Sequence, residues 1–258
     1  MQSTRQIYIG TSGWHYEDWI GRFYPAGTQY REMLSYYAGH FNTVEVNSSF
    51  YRLPSKESIL NWVDCVPDSF KFCIKASRYI THIKRLNGDS DFKLAVDQLF
   101  GRLSTFGSKL GCVLFQLPPN FKCDLSKIDN LTKESELNIK KYKLLTIKIA
   151  VEFRHSSWFN ERTYQALARD NYSFVVSDHP YIGSKSRYDS TNFVYIRLHG
   201  QPAVYETGYS TRQLHDWQEF ISREHNKNLD VFCFFNNDYR AHAVNNAKSL
   251  RTMLEDSF

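Results

Sequence analysis

Eight short apolar runs punctuate the chain, at residues 7–14, 43–51, 70–75, 110–116, 147–154, 173–178, 193–199 and 231–238. Each is of strand length, rich in Val, Ile, Phe or Tyr, and lacks strict polar alternation, the pattern of strands covered on both faces. Between them lie segments with helical spacing. Residues 28–38 carry Tyr30, Met33, Leu34 and Tyr37; residues 55–66 open on Ser55 as a cap and carry Ile59, Leu60 and Val63. Residues 91–106 set Leu94, Leu99, Leu103 and Phe106 along one side, and residues 241–254 set Val244, Ala247, Leu250 and Leu254 in register. Further helical segments are expected at 160–169 and 211–223. Strand starts recur roughly every 30 residues, the length of one β/α unit, and such alternation argues for a parallel sheet. The reading is α/β, a single (β/α)8 TIM-type barrel over residues 1–258. Two spacers depart from the rhythm. Between residues 179 and 192, PYIGSKSRYDSTN is too short and too rich in Gly, Ser and Asp for a helix with loops, so the sixth unit is expected to be irregular. Residues 118–142 open on Pro118-Pro119 and read as a long loop followed by a polar helix.

Almost every run ends in a polar group instead of another aliphatic one. The ends are Ser12 and Trp14; Glu45, Asn47 and Ser48; Lys75; Gln116; Glu152 and Arg154; Asp178; Arg197 and His199; and Asn236, Asn237 and Asp238. Glu45 with Asn47, Glu152 with Arg154, and Arg197 with His199 are each two apart, so each pair shares one face of its strand. In a barrel that face is the interior, at the carboxyl end where active sites of this architecture lie.

Composition changes this picture little. A 42% hydrophobic share supplies a large core, and the 16% aromatic share is explained mostly by bulky packing. Formal net charge is +5, and part of the excess sits in residues 122–148, read as a solvated helix and loop; a nucleic-acid surface calls for a denser basic stripe. Five widely spaced cysteines fit reduced, buried thiols better than a disulfide frame or a metal site, with Cys73 and Cys233 considered and set aside as nucleophiles. No run approaches the roughly 20 apolar residues of a membrane span, and the first residues lack a signal pattern, so a cytoplasmic protein is expected.

The segments GTSGWHYEDWIGRFYP, TVEVNSSFYRLP, FKFCIKASRYITH, LGCVLFQLPPNF, VEFRHSSWF, YIRLHG and FCFFNND resemble, in order, the signature blocks of the DUF72 (YecE-like) family. The resemblance covers nearly the whole chain. It implies a TIM-type barrel, widespread in bacteria, whose biochemical activity is not established. It marks Gly13, Trp14, Glu45, Asn47, Phe50, Tyr51, Lys75, Thr81, His82, Gln116, Leu117 and Pro118 as motif positions. Beyond these it marks Glu152, Arg154, His155, Trp158, Asp178, Arg197, His199, Gly200, Asn236 and Asn237. His15 and Tyr79 depart from the pattern expected in many relatives.

The polar ends suggest an enzyme performing acid-base, hydrolase-type chemistry on a polar, anionic small molecule. Glu45 and Glu152, across the mouth from one another, suit proton transfer if unequal burial separates their pKa values, with Asp178 and His199 as partners. Arg154, Arg197 and Lys75 would hold the anion, since a guanidinium fork matches carboxylate or phosphate. Trp14, Asn47, Tyr51, His82, Gln116, Trp158 and Asn236 would line the substrate. The competing reading of the same charges is an ion-pair network that closes the barrel top. No cofactor is called for, and GTSG at residues 10–13 lacks the spacing of a phosphate or dinucleotide loop. A divalent metal held by His82, His155, His179 or His199 with the carboxylates is an alternative, although no HxH or HExxH spacing supports it. Two further alternatives are a nucleic-acid-binding protein or metal-dependent nuclease, with Trp14, Tyr51, Trp158, Tyr205 and Tyr209 stacking bases, and a non-catalytic ligand-binding barrel.

Overall fold

In the computed structural model, which describes residues 6–180, 193–201 and 203–256, each apolar run contributes parallel strand. The strands are β1 (Ile7–Thr11), β2 (Thr43–Val46), β3 (Lys71–Lys75), β4 (Leu110–Gln116), β5 (Lys148–Glu152), β6 (Ser173–Phe174), β7 (Val176–Ser177), β8 (Phe193–Leu198) and β9 (Asp230–Phe235). Hydrogen bonding joins them in two sets, β2-β3-β4-β5-β6 and β7-β8-β9-β1. Together the segments follow the circular order of an eight-stranded TIM-type barrel, with the ladder interrupted at two seams.

The first seam lies inside one run. β6 pairs with β5 and β7 pairs with β8, while Val175 between them still donates its N–H to Val151 O at 3.0 Å. The sixth strand therefore passes from one sheet to the other within five residues, 173–177. At the second seam, β1 and β2 share a single bridge, Ser12 to Glu45. Side chains replace the missing ladder. The Tyr37 hydroxyl accepts from Thr11 N at 2.9 Å and donates to Thr43 O at 3.1 Å, and the Asn42 amide exchanges bonds with Ile9 N at 3.2 Å and Ile7 O at 3.0 Å. Gly10 makes room for this approach, since a Cβ there would lie 2.2 Å from Thr43 O.

Seven α-helices return the chain between strands among the described residues: α1 (Tyr30–Ala38), α2 (Lys56–Asp64), α3 (Ser90–Leu103), α4 (Leu125–Tyr142), α5 (Glu161–Arg169), α6 (Thr211–Asn226) and α7 (His242–Glu255). Their starts are set by side-chain caps: Ser55, Asp89, Asp124, Asn160 and Ser210 each accept a backbone N–H from the first turn. In α3 the buried side is Phe92, Val96, Leu99, Phe100 and Leu103, whereas Leu94, expected on that side, is exposed. Its spacing from Leu99 is five residues, which sets it about 140° away around the helix. The helix after Pro118-Pro119 does form, as α4. The expectation of an irregular spacer at 179–192 falls largely outside the described residues.

Two apolar layers result. Tyr8, Cys73, Cys112, Leu114, Ala150, Val175, Phe193, Tyr195, Phe232 and Phe234 pack together as the barrel plug, with Tyr8 stacked on Phe232 at 4.6 Å. The larger layer joins the outer face of the strands to the helices. Among the described residues, no helix is long and apolar enough to cross a membrane.

Candidate functional site

Alternation along the strands carries the plug into a polar layer. Tyr195 belongs to the plug, and Arg197 and His199 follow it at intervals of two; Cys73 is likewise followed by Lys75, Ala150 by Glu152 and Arg154, Leu114 by Gln116, and Phe234 by Asn236. Aromatic bulk at the floor and charge one step above are thus one pattern. All of these polar residues lie at the carboxyl ends of parallel strands.

Arg197 is the hub. It is 1% exposed, and its guanidinium joins both glutamates: Nη2 donates to Glu45 Oε1 at 2.7 Å, Nε to Glu45 Oε2 at 2.9 Å, and Nη1 to Glu152 Oε2 at 2.8 Å. Glu45 also accepts from Ser12 Oγ at 2.7 Å and from the Tyr195 hydroxyl at 2.7 Å, while Glu152 accepts Arg154 Nε at 3.0 Å. Burial alone would push both carboxyls upward. Arg197 overcomes it at Glu45, and Arg154 with Arg197 does so at Glu152, so both fall below the ordinary value and stay ionised. The expected divergence of a carboxylate acid-base pair is therefore not what the arrangement provides. Nor does Arg197 offer a fork to a substrate, because its nitrogens already face these carboxylates.

His199 and Asp178 form a second group. Asp178 Oδ1 accepts His199 N at 2.8 Å and lies 3.3 Å from Nδ1, while Ser177 Oγ lies 3.3 Å from the same nitrogen. The ring's other nitrogen, Nε2, is 3.4 Å from Arg197 Nη1, a donor, which places the proton on Nδ1. Burial, chiefly, holds His199 below its ordinary value and keeps it neutral. Tyr209 donates to Asp178 Oδ2 and also accepts Gly200 N at 2.8 Å.

Lys75 is different in kind. Its Nζ lies 4.4 Å from the centre of the Phe50 ring, and no hydrogen-bond acceptor or ion-pair partner reaches it among the described residues. Burial and then Arg197 lower its pKa to about 7, against the opposing pull of Glu152 and Glu45. His82, packed edge-on to Phe50 at 5.0 Å, is lowered to about 4 by burial and by Lys75. Gln116 and Asn236, both buried, complete the strand ends on either side of the network.

The remaining candidates divide. Trp14 and Asn47 border a cleft of about 190 Å³ with Gly13, His15, Tyr16, Tyr30, Ser48 and Trp62, and Asn47 Oδ1 is buried without a donor among the described residues. Tyr51 is 83% exposed on the rim. Trp158 is not brought to the mouth: it is fully buried, stacked on Phe153 at 4.4 Å, and its indole N–H donates to Phe121 O at 2.7 Å. His155 caps the turn Ser156–Trp158, so its ring nitrogen answers a backbone N–H. The buried thiols of Cys73 and Cys233 are pushed up by burial, which suits core packing.

A divalent metal between the two glutamates does not fit this donor set, because the Arg197 guanidinium occupies that position. Among the described residues, no three His, Cys, Asp or Glu side chains are grouped to hold an ion.

Sequence reading missed several members of the network. Tyr195 could have been found, being two residues before Arg197 on the same face. Ser177 carried no comparable signal, and Tyr209, named only as an aromatic that could stack a base, instead donates to Asp178, a role that arises from the turn of the chain around it. Asp238, named only among the polar run ends, has its carboxyl raised to about 6 by burial, and its Oδ1 lacks a donor among the described residues.

Comparison with known proteins agrees with this geometry at the level of the whole chain. Residues 8–258 match the family described as a protein of unknown function, DUF72. The UPF0759 protein YunF of Bacillus subtilis is 30% identical over 96% of this chain and 95% of its own length. The UPF0759 protein YecE of Escherichia coli is 33% identical over 45% of this chain and 39% of its own. Among solved structures, a DUF72 family protein from Thermotoga maritima is 28% identical and superposes with a TM-score of 0.84, covering 97% of this chain and 99% of the other.

Proposed function

The chain belongs to the DUF72 family, and we propose that its barrel mouth is the active site of an enzyme performing acid-base chemistry on a small, anionic molecule. The observation that carries this reading is the state of Lys75: an amine at the end of β3, drawn among charged groups yet left without an acceptor among the described residues. A lysine that exchanges its proton near pH 7 serves as a base or an acid at neutral pH.

In this reading Glu45, Glu152 and Arg197 are the fixed frame, and the proton-moving role falls to Lys75. Arg154 supplies the anion's counter-charge, being tied, among the described residues, to Glu152 through Nε alone. Gln116 and Asn236 offer amide groups beside the bound molecule, and the Asp178–His199 pair holds Arg197 from the side away from Glu45. The Trp14–Asn47 cleft admits an apolar or planar extension of the same ligand.

The test is a thermal-shift panel of phosphorylated and carboxylated metabolites, followed by incubation of each stabilising anion in D2O with detection of carbon-bound deuterium by NMR. Arg154→Leu should weaken anion binding about tenfold, and Lys75→Met should slow exchange about 100-fold, the lower range of a lost acid-base group. Anions that bind without exchange, or exchange that survives Lys75→Met, would remove the reading.

A further inference from the structure

We infer that Lys75 Nζ is a nucleophile that forms an imine with an aldehyde or ketone group of the bound anion. This deepens the reading of the mouth as an active site and rests on it.

The argument begins with how this chain treats its other partly buried lysines. Lys109 donates to Val63 O at 2.8 Å and Val66 O at 2.7 Å, Lys71 donates to Ser108 O at 2.5 Å, Lys148 pairs with Asp230 at 3.2 Å, and Lys84 pairs with Asp89 at 3.0 Å. Each of these four ammonium groups has acceptors, as its lost hydration requires, while half-buried Lys127 on α4 has none among the described residues. Among the described residues, Lys75 has the Phe50 ring alone. A cation over a ring face recovers about 0.5–2 kcal/mol, less than an ammonium loses on full burial, and the half-buried Lys75 keeps only part of its hydration. If the position were structural, Met or Leu would fill it at lower cost, and the plug just below is apolar.

The surroundings favour the free amine. Arg197 on β8 and Arg154 beyond β5 oppose a further positive charge; Glu45 on β2 and Glu152 on β5 would attract one, but both carboxylates are bound by arginines. His82, on the turn after β3, is neutral and adds no attraction. The Phe50 ring walls one side and keeps the amine partly dry, the condition that activates lysine nucleophiles. Of the other titratable groups at the strand ends, Asp178 and His199 are engaged with one another, His179 is kept neutral by burial, and burial raises the Asp238 carboxyl to about 6.

The chemistry balances without a redox partner. The nitrogen lone pair attacks the carbonyl carbon, a C–N bond forms, and the carbonyl oxygen takes up the proton that nitrogen loses. In the resulting carbinolamine the nitrogen lone pair forms the C=N bond as the C–O bond breaks, and the departing hydroxyl leaves as water with the proton that nitrogen gives up. Protonated, that imine draws electrons from the adjacent C–H bond, and this is how a covalent step serves proton transfer. Water hydrolyses the imine to return the amine. Arg154, beside the site, answers the negative group that such a substrate carries.

The experiment incubates the purified protein with glyoxylate, pyruvate or pyridoxal phosphate at pH 7, adds sodium borohydride, and maps adducts by mass spectrometry. Lys75 should carry the reduced adduct ahead of the surface lysines, since an amine with an ordinary pKa has on the order of a thousandfold less free base at that pH. Labelling of Lys75 against pH should rise through about 7. The adduct should vanish in Lys75→Met and in Lys75→Arg, with circular dichroism and melting confirming that both fold. Adducts spread over surface lysines with Lys75 unmodified would overturn the inference. If trapping fails while deuterium exchange still depends on Lys75, the amine is a base and the imine is excluded; if both fail, the active-site reading falls with it.

Discussion

Arg197 and Lys75 are two cations of one barrel mouth, and their fates are opposite. Arg197 is enclosed by Glu45 and Glu152, and its Nε and both Nη atoms donate to a carboxylate. Lys75, at the end of β3, meets a ring face. The difference follows from the side chains. A guanidinium is planar, keeps its charge under burial and can bridge two carboxylates at once, whereas an ammonium is a compact charge that yields its proton when hydration is removed. The buried arginine is therefore a fastening, and the lysine, without an acceptor among the described residues, is the group we propose to be reactive.

The sharpest way to break the comparison is to remove the fastening. Arg197→Met leaves two fully buried carboxylates facing one another, and stability measured by urea unfolding should fall by about 3–5 kcal/mol. Adding Glu45→Gln and Glu152→Gln should recover part of the loss, because it is the uncompensated charge that costs most. A loss under about 1 kcal/mol would mean that the network is peripheral to folding. Acid gives an independent view. Both glutamates are held below their ordinary value of 4.5 in the folded state, so their stabilising effect is complete above that pH and is lost as pH falls further. Arg197→Met should flatten this acid limb.

Lys75→Met should act in the other direction. The folded-state value of about 7 lies below the ordinary 10.5, so below pH 7 both states hold the proton and the full penalty of the buried charge is present. Between about 7 and 10.5 the unfolded chain binds more protons, and wild-type stability climbs with pH. Met removes the penalty, so the variant should be more stable by about 2 kcal/mol at pH 6, allowing for screening at a partly exposed group, with the advantage shrinking to nothing above pH 10. Paired melting curves at pH 6, 8 and 10 decide it. A destabilised Lys75→Met at every pH would assign the amine to structure after all.

How much of this was legible beforehand depends on which interaction does the positioning. The strands were legible, because a covered parallel strand announces itself as an apolar run, and Glu45, Glu152, Arg197 and Lys75 were legible as candidates because period two sets their face. Their division of labour was not. Sequence gives both arginine and lysine as cations at strand ends; only the distances reveal that Glu45 and Glu152 converge on Arg197 and leave Lys75 aside. Trp158 was placed at the mouth because it follows a strand end, but the turn Ser156–Trp158 swings its indole back onto Phe153 and Phe121 O, a reversal that no periodicity encodes. The β1–β2 seam was equally hidden, resting on Tyr37 and Asn42 in the segment between those strands.

The smallest expected effect tests where the frame ends. Tyr195 lies in the apolar plug yet donates its hydroxyl to Glu45 Oε2 at 2.7 Å, joining the two layers. In Tyr195→Phe that oxygen still receives Arg197 Nε at 2.9 Å, and the ring continues to pack on Phe234 at 5.2 Å. The loss is then one hydrogen bond to an anion whose other donors remain, about 1 kcal/mol in urea unfolding. Trapping at Lys75 should be unchanged, since the Phe50 contact and the charges of Arg154 and Arg197 are untouched. If Tyr195→Phe instead lowered the reactivity of Lys75, the two cations would belong to one coupled network and the contrast between fastening and reactive group would fail at its root.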